Sequence, residues 1–219
     1  MTRVAKSIKE LRRQGGDESR ATFVTNEIFE RAIALFLEKG FASTSMNDLA
    51  TACQVTKPAL YYYFPNKSAL LERLYDHITR DFYDLTGVLA QEAKSPRQKL
   101  TAVILHQARY NIEQRRFLTV FWRERHQFEP DARAKLARRE REFERVIVGL
   151  LEEGRAAGEF RDLDAETTAM CLLGLLSTVH RWAHHVGAAP EEVAELIVSL
   201  AMNGVSAVGP TAPDTTEQQ

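Results

Sequence analysis

The chain has 219 residues, 44% hydrophobic and 27% charged, with a formal net charge of −1; these values suit one or two globular domains with a real core. The longest apolar run, 169–179, is too short to cross a bilayer and no leader-like segment opens the chain, so a soluble cytoplasmic protein with no membrane partner is expected. The near-neutral sum hides an asymmetry, because residues 1–80 hold 12 Lys plus Arg against 9 Asp plus Glu, which leaves room for a local basic face that meets a polyanion.

Residues 1–19 read as a basic, flexible arm. Within residues 1–13, Arg3, Lys6, Lys9, Arg12 and Arg13 stand against Glu10 alone, and Gly15-Gly16 follows. Such an arm either enters a minor groove or merely keeps the chain solvated. Residues 20–68 then carry the grammar of a helix-turn-helix. Lys39-Gly40 suits a helix C-terminus, and Ser45 with Asp48 three positions on is a capping-box variant that opens the next helix. That helix runs through Leu49, Ala50 and Cys53 and stops near Gln54. Thr56 caps a third helix with Pro58 in its first turn, and Phe64-Pro65 ends it. Asn66 caps a fourth helix beginning at Lys67 and continuing through Leu70, Leu71, Leu74 and Ile78.

The third helix holds Tyr61, Tyr62 and Tyr63 in succession. Neighbours on a helix point about 100° apart, so a small three-helix unit cannot bury all three. At least one ring must face outward beside Lys57 and Lys67, where it can meet a phosphate or a base edge.

The run Gly-Phe-x-x-Thr-Ser-x-x-x-Leu-Ala from Gly40, followed by Val-Thr-Lys-x-x-Leu-Tyr-Tyr-Tyr-Phe-x-x-Lys from Val55, resembles the DNA-binding domain of the TetR family of bacterial transcriptional regulators over roughly residues 22–70. The resemblance implies a double-stranded DNA operator as partner. It also implies contacts from Thr44, Ser45, Thr56, Lys57, Pro58, Ala59, Tyr61, Tyr62, Tyr63 and Lys67, with Lys57 and Tyr62 nearest the bases and Thr44, Tyr63 and Lys67 on phosphates.

Residues 69–208 continue as helices. Ser95-Pro96 opens one with Leu100, Val103, Ile104 and Ala108 on its apolar face, and a break near Arg115-Arg116 precedes the aromatic segment 117–128. Pro130 starts a long helix, polar through Arg145 and apolar from Val146, that Gly154 and Gly158 bring to an end. Apolar positions at spacing three and four run through 164–186, residues 187–190 form a loop, and Val193, Leu196, Ile197 and Leu200 line a final helix. The tail 209–219 reads as disordered. No stretch alternates like a strand, so the fold class is all-α. Cys53 and Cys171 both fall on apolar helix faces, which suits reduced core packing.

Leu172, Leu173, Leu176 and Val179 on one helix, with Val193, Ile197 and Leu200 on its neighbour, offer more greasy surface than one small domain is expected to cover. A twofold four-helix bundle, hence a homodimer, follows. The resemblance further implies a small-molecule cavity that moves the fourth helix when filled. Candidate walls are Phe82, Leu85, His106, Tyr110, Phe121, Trp122, Arg125, His126, Phe143 and Ile147. Rings beside Arg115, Arg116, Arg123 and Arg125 would suit a ligand with a greasy end and an anionic end.

The stretch Leu172-Leu173-Gly174-Leu175-Leu176 through Arg181-Trp182, then Pro190-Glu191-Glu192-Val193-Ala194-Glu195, is similar to the TetR subgroup that controls fatty-acid, steroid and aromatic-acid catabolism and commonly answers acyl-CoA thioesters. It departs from that subgroup at Ala183-His184-His185. A hydrophobic drug-like effector controlling efflux or stress genes, an activator rather than a repressor, and an all-helical enzyme using Cys171 or a histidine remain the alternatives. No nucleophile, base and orienting residue occur together in a motif, so no enzyme is expected. No cofactor or metal is expected either, since adjacent His184 and His185 diverge on a helix and cannot converge with His180.

Overall fold

The computed structural model describes residues 17–207, with side chains from residue 26 onward. The basic arm through residue 16 and the tail from residue 208 lie outside the described residues. The chain is all-α: α1 Asp17–Lys39, α2 Met46–Cys53, α3 Lys57–Tyr63, α4 Lys67–Gln91, α5 Pro96–Glu113, α6 Arg115–Glu124, α7 Pro130–Ala156, α8 Ala165–Ser177, α9 Val179–Trp182 and α10 Pro190–Val205. Among the described residues no helix is long and apolar enough to cross a membrane. Helix α1 starts at Asp17, so residues 17–19, read from sequence as part of the arm, are helical. The break after α5 falls at Gln114, which places Arg115 and Arg116 inside α6.

The helices form two compact units, one running to Tyr75 and taking in Thr119–Phe128, the other holding Asp76–Leu118 and the chain from Glu129. In the first, Ile28, Phe29, Ala32, Ile33 and Phe36 of α1 supply one buried face, and Leu49, Leu60, Leu70, Leu71 and Leu74 are fully covered. Gly40 takes φ +82 at the end of α1, where its N–H reaches the Phe36 carbonyl, a conformation that only glycine adopts freely. Gln54 closes α2 at φ 55. A side chain in that left-handed region costs roughly 1–2 kcal/mol. Gln54→Gly is therefore expected to raise unfolding stability by about 1 kcal/mol, after glycine's extra chain entropy is subtracted. Urea denaturation that shows a loss instead would mean that the Gln54 side chain holds the turn.

Residues from α6 complete this unit. Phe121 stacks on Tyr75 with centroids 4.8 Å apart, and Arg123 donates to the Phe36 carbonyl at 3.1 Å.

In the second unit α5 is the centre. Its Leu100, Val103, Ile104, Ala108 and Ile112 share one core with Ile147, Leu150 and Leu151 of α7, Leu172 and Leu176 of α8, Val179 of α9, and Val193 and Ile197 of α10. Covering a leucine or isoleucine in this way is worth about 1.5–3 kcal/mol. Five of the seven residues assigned from sequence to a partner chain, Leu172, Leu176, Val179, Val193 and Ile197, are thus buried within one chain because α5 lies against them; Leu173 is half-buried, and Leu200 alone is exposed. The apolar side chains left uncovered on α8 and α10 are Met170, Leu175, Leu196 and Leu200, and Cys171, also expected inside, is exposed among them. Cys53 is buried, and burial pushes its thiol up to about 11.

The apolar run 164–186 is not one helix. Asn111 Nδ2 donates to the Leu176 carbonyl at 2.8 Å, and the chain breaks at Thr178 before α9. A side chain inserted into the ladder is a recognised cause of such a break. Beyond α9 the backbone has left the helix, so the rings of His184 and His185 come to 3.9 Å instead of diverging.

Candidate nucleic-acid interface

Helix α3 is seven residues long, and its orientation is set by one anchor. Leu60 is completely buried, while Lys57, Pro58, Tyr61, Tyr62 and Tyr63 are exposed, Tyr62 at 83%. Thr56 Oγ1 accepts the Ala59 N–H at 3.3 Å and fixes the start of the helix. Tyr62 and Tyr63 meet edge to face at 5.1 Å, and Lys57 Nζ stands 5.8 Å over the Tyr61 ring. Large rings held in water on a rigid turn, next to a cation, present hydroxyl donors and apolar edges to a groove. The sequence required one outward tyrosine; the structure presents all three.

The preceding helix is held just as firmly. Ser45 Oγ accepts the Asp48 N–H at 3.1 Å, while the Asp48 carboxylate accepts from the Ser45 hydroxyl at 2.6 Å and from its N–H at 2.8 Å. Those hydrogen bonds, then the Lys39 ammonium, hold the Asp48 carboxyl well below the usual carboxylate range. Ser45 remains exposed while it caps. Two residues expected on phosphates turn inward. Thr44 is 1% exposed and donates to the Gly40 carbonyl at 2.7 Å. Lys67 Nζ donates to the carbonyls of Phe41 at 2.6 Å and Ala42 at 3.2 Å, with its charge 4.7 Å over the Phe41 ring. Both close the α1–α2 turn, whose carbonyls lack helical partners and take the nearest donors.

Of the expected effector walls, the second unit gathers four. Phe82 lies 5.0 Å from His106, 4.5 Å from Tyr110 and 5.4 Å from Phe143, and His106 Nε2 approaches the Phe82 carbonyl at 3.2 Å. Beside Phe143 runs a groove of about 220 Å³ bordered by Arg80, Tyr83, Arg139 and Glu142, none of which stood out in the sequence. Ile147 belongs to the core and Leu85 is exposed. Phe121, Trp122, Arg125 and His126 belong to the first unit. There Phe121 is packed on Tyr75, and the Arg125 guanidinium sits 5.5 Å over Phe121 and 4.9 Å over Trp122. His126 Nδ1 approaches the Arg123 carbonyl at 3.0 Å.

Known proteins match both parts of the chain. Residues 28–74 match the signature of bacterial regulatory proteins of the tetR family, and residues 93–205 match that of the tetracyclin repressor-like C-terminal domain. The HTH-type transcriptional repressor KstR2 of Mycolicibacterium smegmatis is 26% identical over 189 residues, covering 83% of this chain and 90% of that one. A TetR/AcrR-family regulator of Thermobifida fusca is similar in structure with a TM-score of 0.68 and 30% identity, covering 82% of this chain and 97% of that one. AibR, solved in complex with isovaleryl coenzyme A and operator DNA, shares the fold with a TM-score of 0.71 at 22% identity, covering 81% of this chain and 97% of that one. With an outward tyrosine helix in a capped helix-turn-helix and a signature that spans the helices behind it, the chain belongs to the TetR family of transcriptional regulators.

Proposed function

We propose that the protein is a homodimeric repressor that binds a palindromic operator through α3 and is released by a small-molecule effector, with an acyl-CoA thioester as the leading class. The observation that carries the DNA half is the exposure of Tyr61, Tyr62 and Tyr63 around the buried anchor Leu60. Pairing across a twofold axis falls to Met170, Leu175, Leu196 and Leu200, the uncovered apolar residues of α8 and α10. Two copies so joined address half-sites about 34–36 Å apart, or a multiple of it. The likeness to AibR supports an acyl-CoA, and a groove of about 220 Å³ would take the acyl part rather than the whole molecule.

Release requires that the effector prefer one conformer, since equal affinity for both shifts nothing. Helix α4 is the element suited to carry the change, being one uninterrupted helix whose first turns belong to the first unit and whose later turns border the groove. Tyr62→Ala is expected to weaken operator binding by at least about 1 kcal/mol, one base-directed contact, without changing the oligomeric state. A gel-shift titration on duplexes selected by the protein measures it, and unchanged affinity would remove Tyr62 from the interface. Addition of acyl-CoAs of varied chain to the same complex is expected to release the DNA. Release by a hydrophobic drug-like compound alone would replace the acyl-CoA reading.

A further inference from the structure

Helix α5 carries a buried polar seam that the fold leaves incomplete. Asn111 gives its amide N–H to the Leu176 carbonyl, so its Oδ1 must accept, and it does so from Gln107 Nε2 at 3.0 Å. That chain of donors fixes the Gln107 amide and leaves its Oε1 buried with no partner among the described residues. One turn along the same helix the Tyr110 hydroxyl is buried with no partner among the described residues, and the ring of His180, a residue only 2% exposed, makes no hydrogen bond of ordinary geometry there, although the Ser177 backbone lies close enough to act on it. His180 lies in α9, which packs on α5, one turn beyond the Leu176 carbonyl that Asn111 holds. Burial first, and then the phenol of Tyr83 on the groove wall, opposes the ionisation of Tyr110.

Protein interiors pair nearly all such atoms, because an unsatisfied one is destabilising. Two orphaned side chains on successive turns of α5, with the buried ring of His180 on the helix packed against it, therefore mark a place for a guest that brings its own hydrogen-bonding group. The seat is uncharged. Burial holds His180 and His106 below the ordinary imidazole value and Tyr110 above the ordinary phenol value, and the neighbouring Arg109 and Arg181 are exposed. An ionised group would lose its hydration here without gaining a countercharge. Neutral imidazole offers one donor and one acceptor, tyrosine a donor, and glutamine an acceptor.

We propose that Gln107, Tyr110 and His180 form the seat for an uncharged oxygen of the effector, a ketone, alcohol or thioester carbonyl, carried on an apolar ring or branched body that packs against Phe82 and Phe143. The proposal rests on the reading of the second unit as the effector domain and narrows its ligand to a neutral buried end.

The test uses the full chain and one carbon skeleton, with 1-tetralone, 1-tetralol, tetralin and tetralin-1-carboxylate as probes in calorimetric titrations. The ketone and the alcohol are expected to bind at least tenfold more tightly than the hydrocarbon and the carboxylate. Tyr110→Phe, Gln107→Leu and His180→Phe should each remove most of that preference, while the melting temperature without probe stays the same or rises. The proposal is overturned if the carboxylate binds as well as the ketone, if the ketone does not bind, or if the preference survives all three variants. A lowered melting temperature in all three variants would also overturn it, since the atoms would then be satisfied by a structural water. Gel shifts on protein-selected duplexes, run on the same samples, report separately on the regulator reading.

Discussion

Replacing Leu196 and Leu200 together by glutamate is expected to leave the chain monomeric and to lower operator affinity at least ~100-fold, the usual scale on which a second linked site contributes. The two leucines stand one turn apart on α10, 60% and 58% exposed, displaced from Val193 and Ile197, which face the chain's own core. Across a twofold axis each contributes twice, and burying four leucines is worth roughly 6–12 kcal/mol. Glutamates at the same points would set like charges against each other in a dry interface. Sedimentation of the variant against the parent, with a gel shift on the same samples, reads both effects. A variant that still sediments as a dimer would move the pairing surface elsewhere.

A clear loss of stability is expected from the smallest side-chain addition. At Gly154, near the end of α7, a Cβ would fall 2.1 Å from Phe160 Cδ2 and 2.2 Å from Cε2. Phe160 cannot easily retreat, being buried and having its N–H, like that of Glu159, bonded to the Gly154 carbonyl at 3.2 and 2.9 Å. Gly154→Ala should therefore cost about 1–3 kcal/mol through overpacking, even though alanine favours the helix. Phe160→Ala alone should cost about 3–5 kcal/mol. In that background the alanine at 154 should become neutral or favourable, a coupling that a double-mutant cycle in urea resolves. Additive losses would show that the ring is not what glycine accommodates.

Much of the DNA-reading half was legible because its signals are local. The Ser45–Asp48 box, the Thr56 cap with Pro58 after it, and three successive tyrosines are each decided within a turn or two of chain. Where that reading missed, at Thr44 and Lys67, the hydroxyl and the ammonium had been taken by carbonyls that only the folded turn exposes.

Behind the DNA-reading half the balance reverses. Periodicity showed that the last helices carry apolar residues, but it could not tell which of two apolar faces α5 would cover. Leu172, Leu176, Val193 and Ile197 went inside, and Met170, Leu175, Leu196 and Leu200 stayed out. The residues expected from sequence to wall an effector cavity divided in the same way, with Phe82, His106, Tyr110 and Phe143 meeting in one unit while Phe121 packed on Tyr75 in the other. Helix type, caps and the outward tyrosines were determined by the sequence itself, since they depend on neighbours a few residues away. The covered faces, the break at Thr178 and the unpartnered seat on α5 were decided only by tertiary structure, because each depends on which helix, distant in sequence, comes to lie alongside.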